Sequence, residues 1–245
     1  ENNKEKINKY MKEYKEKTSN DMLQEQLKEI FGDKTPEEAR EMLLAFRRLM
    51  SCYQCAMMEI ETKFRVLNEE FSLLHDRNPI NNIHTRLKNG VSIREKMIRK
   101  NLPPSIEAIE EGIADIAGIR VVCAFVSDVY YLEKALLEQD DITLIKRKDY
   151  ISSPKENGYR SLHLIIAIPI FLSNQKRIMK VEVQLRTVAM DSWASLEHQL
   201  RYKKDLTDHQ EIETALLKCA RLSNELDTTM DHLREIVIKD NYMMS

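Results

Sequence analysis

Residues 161–186 read SLHLIIAIPIFLSNQKRIMKVEVQLR, and this stretch decides the fold class. Apolar and β-branched residues dominate it in two runs short enough to be strands. Runs of the same kind occur earlier in the chain, so that four strands are predicted, at 118–125, 141–146, 161–172 and 177–186. Residues 127–138 show helical periodicity between two of these runs. Strands interrupted by a helix predict a mixed α/β core.

Helical patterns lie on both sides of this core. Thr35 and Pro36, followed by two acids, have the composition of a helix N-terminus and predict a helix that ends near Leu74. Residues 1–30 predict another, exposed helix. After about residue 188 the pattern is helical again, with apolar positions spaced by three and four residues at Ile212, Leu216, Cys219, Leu226, Met230, Leu233 and Val237. This seam is compatible with packing inside the chain or against another subunit.

The composition excludes several kinds of site. A net charge of −2 over 245 residues gives no bulk basic character, so any anion site has to be local. The five glycines cannot form a P-loop or a dinucleotide-binding motif, and phosphates would therefore be held by side chains. Cys52 and Cys55 form C-x-x-C in a helical pattern without a second ligand pair, which favours a structural role. Without an apolar run long enough to span a bilayer, the sequence predicts a cytoplasmic protein with no membrane contact.

Two basic segments stand out in this balanced chain. Residues 86–100 contain six basic residues and one acid, a composition that usually means a solvated helix face. The segment 146–163 adds five cations and an Asn-Gly turn, after which Tyr159 is expected to stand free of the core. Two basic islands with an aromatic platform and no glycine-rich loop predict nucleotides that are held by side-chain cations and stacking.

The end of the quoted stretch alternates strictly between apolar and polar residues. The core-facing positions are Val181, Val183 and Leu185, and the opposite ones are Glu182, Gln184 and Arg186. A sheet with one wet face has the same alternation, but a carboxylate, an amide and a guanidinium in file favour a site. Asp115, just before a strand, is either a cap residue or the partner of Glu182 in a two-carboxylate site for a hard divalent ion. Mg²⁺ would offset the repulsion between these carboxylates and bound phosphates.

In this order, the segments resemble the synthetase domain of RelA/SpoT-type enzymes, which make the stringent-response alarmones pppGpp and ppGpp. The matching pieces are R-L-K-x7-K (86–96), DIAGIR (115–120), KDYISSPKENGYRSLH (148–163), EVQLRT (182–187) and, more weakly, WASLEH (193–198). The resemblance implies an α+β fold with a nucleotidyltransferase-like mixed sheet flanked by N- and C-terminal helices. The implied divisions are a helical region 1–77, a synthetase core 78–203 and a helical region 204–245. Because the single pair His75-Asp76 lacks the other ligands of a metal-dependent hydrolase, a stand-alone small alarmone synthetase is expected, a class that is typically tetrameric.

The resemblance also implies a reaction and a role for each site residue. Pyrophosphate would move from ATP to the 3′-hydroxyl of GTP or GDP by attack on the β-phosphorus, with AMP leaving. The ATP-binding residues would be Arg86 and Arg120 around the adenine and Lys88, Lys96 and Arg99 on the phosphates. Asp115 and Glu182 would bind Mg²⁺, and Glu182 would be the base or the orienter of the 3′-hydroxyl. The acceptor nucleotide would contact Tyr159, Lys146, Lys148, Lys155, Asn157, His163 and Gln184.

Two alternatives stay open on the sequence alone. A related enzyme could pyrophosphorylate GMP or an adenine nucleotide instead, and Lys146, where many family members have arginine, leaves the choice between GTP and GDP undecided. A catalytically silent protein could sense nucleotides or contact RNA through the basic segments. Such a protein would have no need for both Asp115 and Glu182.

Overall fold

The computed structural model describes residues 35–75, 77–201 and 209–243, so the helix expected at 1–30 lies outside the described residues. The helices of the described part are α1 (Pro36–His75), α2 (Gly90–Arg99), α3 (Ile106–Gly112), α4 (Val126–Leu137), α5 (Val188–Arg201) and α6 (His209–Met243). Its strands are β1 (Ile80–Leu87), β2 (Ala117–Cys123), β3 (Thr143–Asp149), β4 (Leu162–Phe171) and β5 (Lys176–Thr187). None of these helices is long and apolar enough to cross a membrane.

The described chain divides into two compact units. The first takes the described residues up to Gln54 together with Leu87–Ile116, and the second takes Cys55–Arg86 and the described residues from Ala117 onward. Helix α1 runs from the first unit into the second. The predicted divisions at residues 77 and 203 stay a prediction.

Side-chain caps determine where the two short helices of the first unit begin. Asn89 Oδ1 accepts the backbone N–H of Ser92 at the start of α2. Ser105 Oγ accepts the backbone N–H of Ala108 at the start of α3. Each cap satisfies one of the free N–H groups at a helix N-terminus. Ile93 of α2 and Ile109 of α3 are fully buried, so both helices are held by apolar packing as well as by their caps.

The second unit is built on a five-stranded sheet in the order β1-β2-β5-β4-β3. Strand β2 runs parallel to β5, whereas β4 is antiparallel to both β5 and β3. In this register Arg120, Gln184, His163 and Lys148 are neighbours in one row across four strands. The mixed sheet predicted from the sequence is thereby confirmed, and it brings four predicted site residues from distant segments onto one line.

Two elements were not predicted. Strand β1, with the sequence INNIHTRL, is largely exposed and has apolar residues only at Ile80, Ile83 and Leu87, so it shows no alternation. Its pairing to β2 at the end of the sheet makes it a strand. Helix α3 has seven residues, too few for a periodic pattern to be recognised.

The seam on α6 divides into a buried and an exposed part. Leu216 and Ala220 pack with Trp193 of α5 in an apolar cluster, and the Trp193 indole N–H donates to the Leu216 carbonyl at 3.0 Å. Farther along the helix, the apolar side chains are 44–58% exposed at Leu226, Met230, Leu233 and Val237. The first part of the seam therefore packs inside the chain, which was one of the two predicted possibilities. The second part forms an apolar stripe on the surface of the chain.

Candidate active site

The first unit gathers two predicted site lysines around one carboxylate. Lys88 directly follows β1, Lys96 lies in the last turn of α2, and Asp115 lies between α3 and β2. The Lys88 and Lys96 ammonium nitrogens lie 3.2 Å and 2.5 Å from Asp115 Oδ2. We call these three residues the lysine–aspartate cluster. The structure brings the two lysines together through ion pairs with Asp115, and their role in binding ATP stays a prediction.

The two lysines keep Asp115 ionised. Burial is the largest single influence and raises the pKa of Asp115, but the hydrogen bonds and charges of Lys96 and Lys88 together outweigh it. The pKa of Asp115 therefore lies below its ordinary value. Both lysines bind Oδ2, whereas Oδ1 is buried and has no hydrogen-bond partner among the described residues. Asp115 Oδ1 is thus a buried carboxylate acceptor to which no described residue donates a hydrogen bond.

The donor set at Asp115 fits a magnesium ion that is shared with substrate. Within the described ranges, no group of three or more His, Cys, Asp or Glu residues could hold a metal by itself. Mg²⁺ commonly uses only one or two protein carboxylates and completes its shell with waters and phosphate oxygens. A single carboxylate oxygen without a protein donor is what such an ion requires.

The remaining predicted ATP ligands are more exposed. Arg86 and Arg99 are both exposed, and Arg86 belongs to the second unit. Arg120, also in the second unit, is partly exposed, and its NH1 lies 3.2 Å from Asp191 Oδ1. The Arg120 Nε is buried and lacks a hydrogen-bond partner in the described part of the chain. Their roles in binding ATP stay predictions.

The turn before Tyr159 is seated directly against α6. Gly158 has φ +85°, a left-handed conformation that favours glycine, and a Cβ there would lie 2.5 Å from the Cβ of Ala220. Asn157 Oδ1 accepts the Tyr159 N–H at 3.2 Å, and Asn157 Nδ2 donates to Glu197 at 3.2 Å. Tyr159 itself packs against the cluster of Trp193, Leu216 and Ala220. The expectation that Tyr159 stands free of the core was therefore wrong, because the Asn-Gly turn presses the ring against two helices.

The Tyr159 hydroxyl is held between a guanidinium and an imidazole. Arg186 NH2 donates to it at 2.6 Å, and His163 Nε2 lies 2.8 Å away. Arg186 can only donate, so the hydroxyl oxygen accepts from it, whereas the donor and acceptor between this hydroxyl and His163 Nε2 depend on the imidazole tautomer. His163 Nδ1 lies 3.5 Å from Glu182 Oε1. A chain of polar contacts thus runs from Arg186 through Tyr159 and His163 to Glu182, and we call it the tyrosine chain.

The cations of the 146–163 segment have two different functions. Arg147 donates to Glu133 at 2.6 Å, and Arg160 lies 3.8 Å from buried Asp227, so both are already paired with carboxylates of the chain. Lys146 and Lys148 are exposed on β3, the last strand of the sheet. Lys155 Nζ lies 4.5 Å from the centroid of the Tyr159 ring and 4.7 Å from that of Tyr150. Lys155 therefore borders the tyrosine chain at Tyr159. Lys146 and Lys148 lie on β3, where Lys148 is the neighbour of His163.

Arg186 was predicted on the sheet face opposite the core, and the structure buries it there. Only 5% of the residue is exposed, because Tyr159 and the start of α5 cover it. It donates to Gln184 Oε1 at 2.9 Å and to Asp191 Oδ1 at 3.2 Å as well as to Tyr159. Sequence reasoning missed Asp191. The available signal was an acid in the first turn of a helix that directly follows a polar-faced strand.

The predicted site residues, from Arg86 to Gln184, lie within the range matched by a known protein family. A family model described as "Region found in RelA / SpoT proteins" matches residues 85–207. The GTP pyrophosphokinases YwaC and YjbM of Bacillus subtilis (strain 168) are 41% and 33% identical, over 73% and 77% of this chain and 85% and 88% of their own lengths. The crystal structure of small alarmone synthetase 1 from Bacillus subtilis bound to its product pppGpp matches with a TM-score of 0.71 at 33% identity. That match covers 79% of this chain and 98% of the solved one.

Proposed function

The chain belongs to the RelA/SpoT family of alarmone synthetases, and from this membership we propose that it is a GTP pyrophosphokinase. It transfers pyrophosphate from ATP to the 3′-hydroxyl of GTP or GDP. The acceptor oxygen bonds to the β-phosphorus, the bond from that phosphorus to the oxygen bridging to the α-phosphate breaks, and AMP leaves. The observation that carries this proposal is the tyrosine chain, which ends at the Glu182 carboxylate on a sheet face where Lys146 and Lys148 are exposed on β3.

The acceptor nucleotide stacks on Tyr159. Packing against α5 and α6 and the hydroxyl contacts hold the ring, so that little side-chain entropy is lost when a base binds. Lys155 Nζ lies 4.5 Å from the centroid of this ring. Guanine displaces the ammonium group, which then binds the acceptor phosphates with Lys146 and Lys148. Asn157, His163 and Gln184 complete the acceptor site.

The donor nucleotide is held by cations. Lys88 and Lys96 exchange part of their contact with Asp115 for the ATP phosphates, and Arg99 adds a third charge. Arg86 and Arg120 stack on the adenine, as guanidinium planes do on aromatic rings. Holding charged phosphates in line with the acceptor is the main task of a protein in phosphoryl transfer.

Magnesium is the cofactor we propose, with Asp115 and Glu182 as its protein ligands. The buried, unpartnered Oδ1 of Asp115 supports its share of the assignment. When bound, the ion neutralises phosphate charge and stabilises an oxyanion. Glu182 accepts or orients the 3′-hydroxyl proton, and His163 Nδ1, 3.5 Å from Glu182 Oε1, keeps the carboxylate in position.

Self-association is the partner interaction that the surface supports. The apolar stripe Leu226, Met230, Leu233 and Val237 is exposed on one helix and has the spacing of a helix–helix contact. We propose that it packs against a second copy of the chain, with a tetramer as the assembly. A cytoplasmic location and contacts to RNA stay predictions from the sequence.

Product analysis tests the function. The protein is incubated with ATP and Mg²⁺ and with GTP, GDP, GMP or an adenine nucleotide in turn, and AMP and the acceptor product are identified by mass spectrometry. We expect AMP together with a 3′-pyrophosphorylated guanine nucleotide. Transfer to an adenine nucleotide or GMP alone would identify a different acceptor class. Tight nucleotide binding without AMP would identify a silent binding protein.

A further inference from the structure

One carboxylate joins the adenine side to the acceptor side of the second unit. Asp191 Oδ1 lies 3.2 Å from Arg120 NH1 and 3.2 Å from Arg186 NH1. Arg120 is a proposed adenine ligand, and Arg186 donates to the Tyr159 hydroxyl. We propose that Asp191 is a positioning residue that fixes Arg120 for ATP and, through Arg186, Tyr159 for the acceptor nucleotide. The inference rests on the proposed function.

The charges explain why a carboxylate is needed at this point. The Arg186 side chain is 6% exposed and Asp191 is 19% exposed, so the ion pair is poorly solvated and strongly attractive. Both guanidinium groups approach the same Asp191 oxygen and would repel each other without it. Asp191 therefore sets the position of two cations that would otherwise separate.

Two hydrogen bonds of Thr187 hold the start of α5, which carries Asp191. Thr187 Oγ1 accepts the Met190 N–H at 3.1 Å at the start of α5, and it donates to Asp227 Oδ2 at 2.9 Å. Asp191 lies in the first turn of α5, where the helix dipole favours an acid. A carboxylate on a capped helix turn provides a fixed reference for the two arginines.

Arg120 and Arg186 depend on Asp191 to different degrees, because they have different numbers of other contacts. Arg120 NH1 is 3.2 Å from Asp191, and Arg120 Nε has no hydrogen-bond partner in the described part of the chain, so its orientation depends strongly on Asp191. Arg186 also donates to Gln184 Oε1 and lies 3.4 Å from Ser161 Oγ, so it keeps some support. Loss of the Asp191 charge should therefore weaken ATP binding more than acceptor binding, while affecting both.

The test measures binding of each nucleotide separately in the full chain. Affinities for GTP, and for an ATP analogue with a methylene group between the α- and β-phosphates, are determined by calorimetry for the wild type and Asp191→Asn. Loss of a charge-assisted contact predicts about tenfold weaker binding of the analogue and a smaller loss for GTP. Asp141→Asn is the matched control, since Asp141 pairs with Lys63 at 2.8 Å outside the network and should leave both affinities unchanged.

A double-mutant cycle separates positioning from a general structural effect. In an Arg120→Gln background, Asp191→Asn should no longer weaken the analogue but should still weaken GTP. Additive losses of analogue affinity would overturn the proposal, as would unchanged affinities in Asp191→Asn. If Asp191→Asn does not fold, Asp191→Glu keeps the charge and shifts the carboxylate by one methylene group. It should weaken both nucleotides, and wild-type affinities would overturn the proposal.

AMP release and nucleotide binding together distinguish a failure of the proposed function from a failure of the inference on Asp191. If the wild type binds both nucleotides but releases no AMP, the enzyme assignment is lost, whereas the binding data on Asp191 still decide the inference. If the wild type transfers pyrophosphate and Asp191→Asn binds both nucleotides like the wild type, only the inference is lost.

Discussion

The Tyr159 hydroxyl lies 2.8 Å from His163 Nε2, and this contact connects the proposed guanine platform to the proposed base. The imidazole continues to Glu182 on its other side. Tyr159 therefore has two separable parts, a ring that binds and a hydroxyl that orients. Substitutions that remove one part at a time distinguish them.

Tyr159→Phe keeps the ring and removes the hydroxyl. We expect kcat to fall about tenfold, since His163 loses the hydroxyl contact that orients its ring, while KM for the acceptor changes little. Steady-state kinetics with the acceptor varied at saturating ATP provide the measurement. Tyr159→Ala is the comparison, and it should weaken the acceptor by roughly 1–3 kcal/mol more than ATP because the stacking surface is lost. Equal weakening of ATP and acceptor by the alanine variant would contradict the platform role.

Glu182→Gln removes the carboxylate charge and keeps the shape of the side chain. We expect kcat to fall by about a hundredfold or more, because the proton acceptor and a metal ligand are lost together, with an unchanged unfolding midpoint. Rates of AMP release and circular dichroism melts measure the two properties. Glu138→Gln, at an exposed pair with Lys134, is the control and should be fully active. A Glu182→Gln enzyme with near wild-type turnover would exclude the assigned role.

Gly158→Ala tests the packing of the Asn157-Gly158 turn against α6. The new Cβ would lie 2.5 Å from the Ala220 Cβ at a φ of +85°, so both clash and backbone strain oppose it. We expect a loss of roughly 1–3 kcal/mol in the free energy of unfolding, measured by urea titration, and weaker GTP binding. In Gly118→Ala the nearest atom is 3.6 Å away, and no comparable clash arises. Similar free energies of unfolding for the two variants would show that α6 can shift to accommodate the new Cβ without a loss of stability.

Asp149→Asn tests how the stability contributed by the turn after Asp149 depends on pH. Burial acts to raise the pKa of Asp149, but hydrogen bonds from the Ser152 and Ile151 N–H groups and from Tyr130 outweigh it and lower the pKa. A depressed carboxyl pKa contributes stability that is complete above the unfolded value, about 3.9, and is lost as the pH falls through the folded value. The difference in unfolding free energy between the wild type and Asp149→Asn should therefore be constant near neutrality and shrink below about pH 4. A difference that grows in acid would contradict the assigned sign.

Leu233→Glu tests the apolar stripe on α6. Leu233 is 49% exposed, and a buried charge at a helix–helix contact is strongly unfavourable. We expect the mass in light scattering to fall to that of a smaller assembly. Leu73→Glu, at a side chain that is 86% exposed on α1, should leave the mass unchanged. A wild-type protein that is already monomeric would remove the basis for self-association through this stripe.

The sequence allowed much of the fold to be predicted, where the signal is local. The alternation in β5 and the N-terminal signature of α1 each depend on neighbouring residues, and both elements were found. Strand β1 was missed because its few apolar residues give no period, and only its pairing in the sheet defines it. The candidate ligands were predicted from residue type and order together with the family resemblance, and their roles stay predictions.

What the sequence by itself determined is the set of chemical groups and their order: two basic segments, an aromatic after a turn, and acids beside strands. Tertiary structure alone decided their partners. Arg186 is buried and joined to Tyr159 and Asp191, which are 27 and 5 residues away in sequence, and Lys88 and Lys96 converge on Asp115. The physical reason is that hydrogen bonds and ion pairs act over a few ångströms in space. No spacing along the chain specifies such contacts until strands and helices bring the groups together.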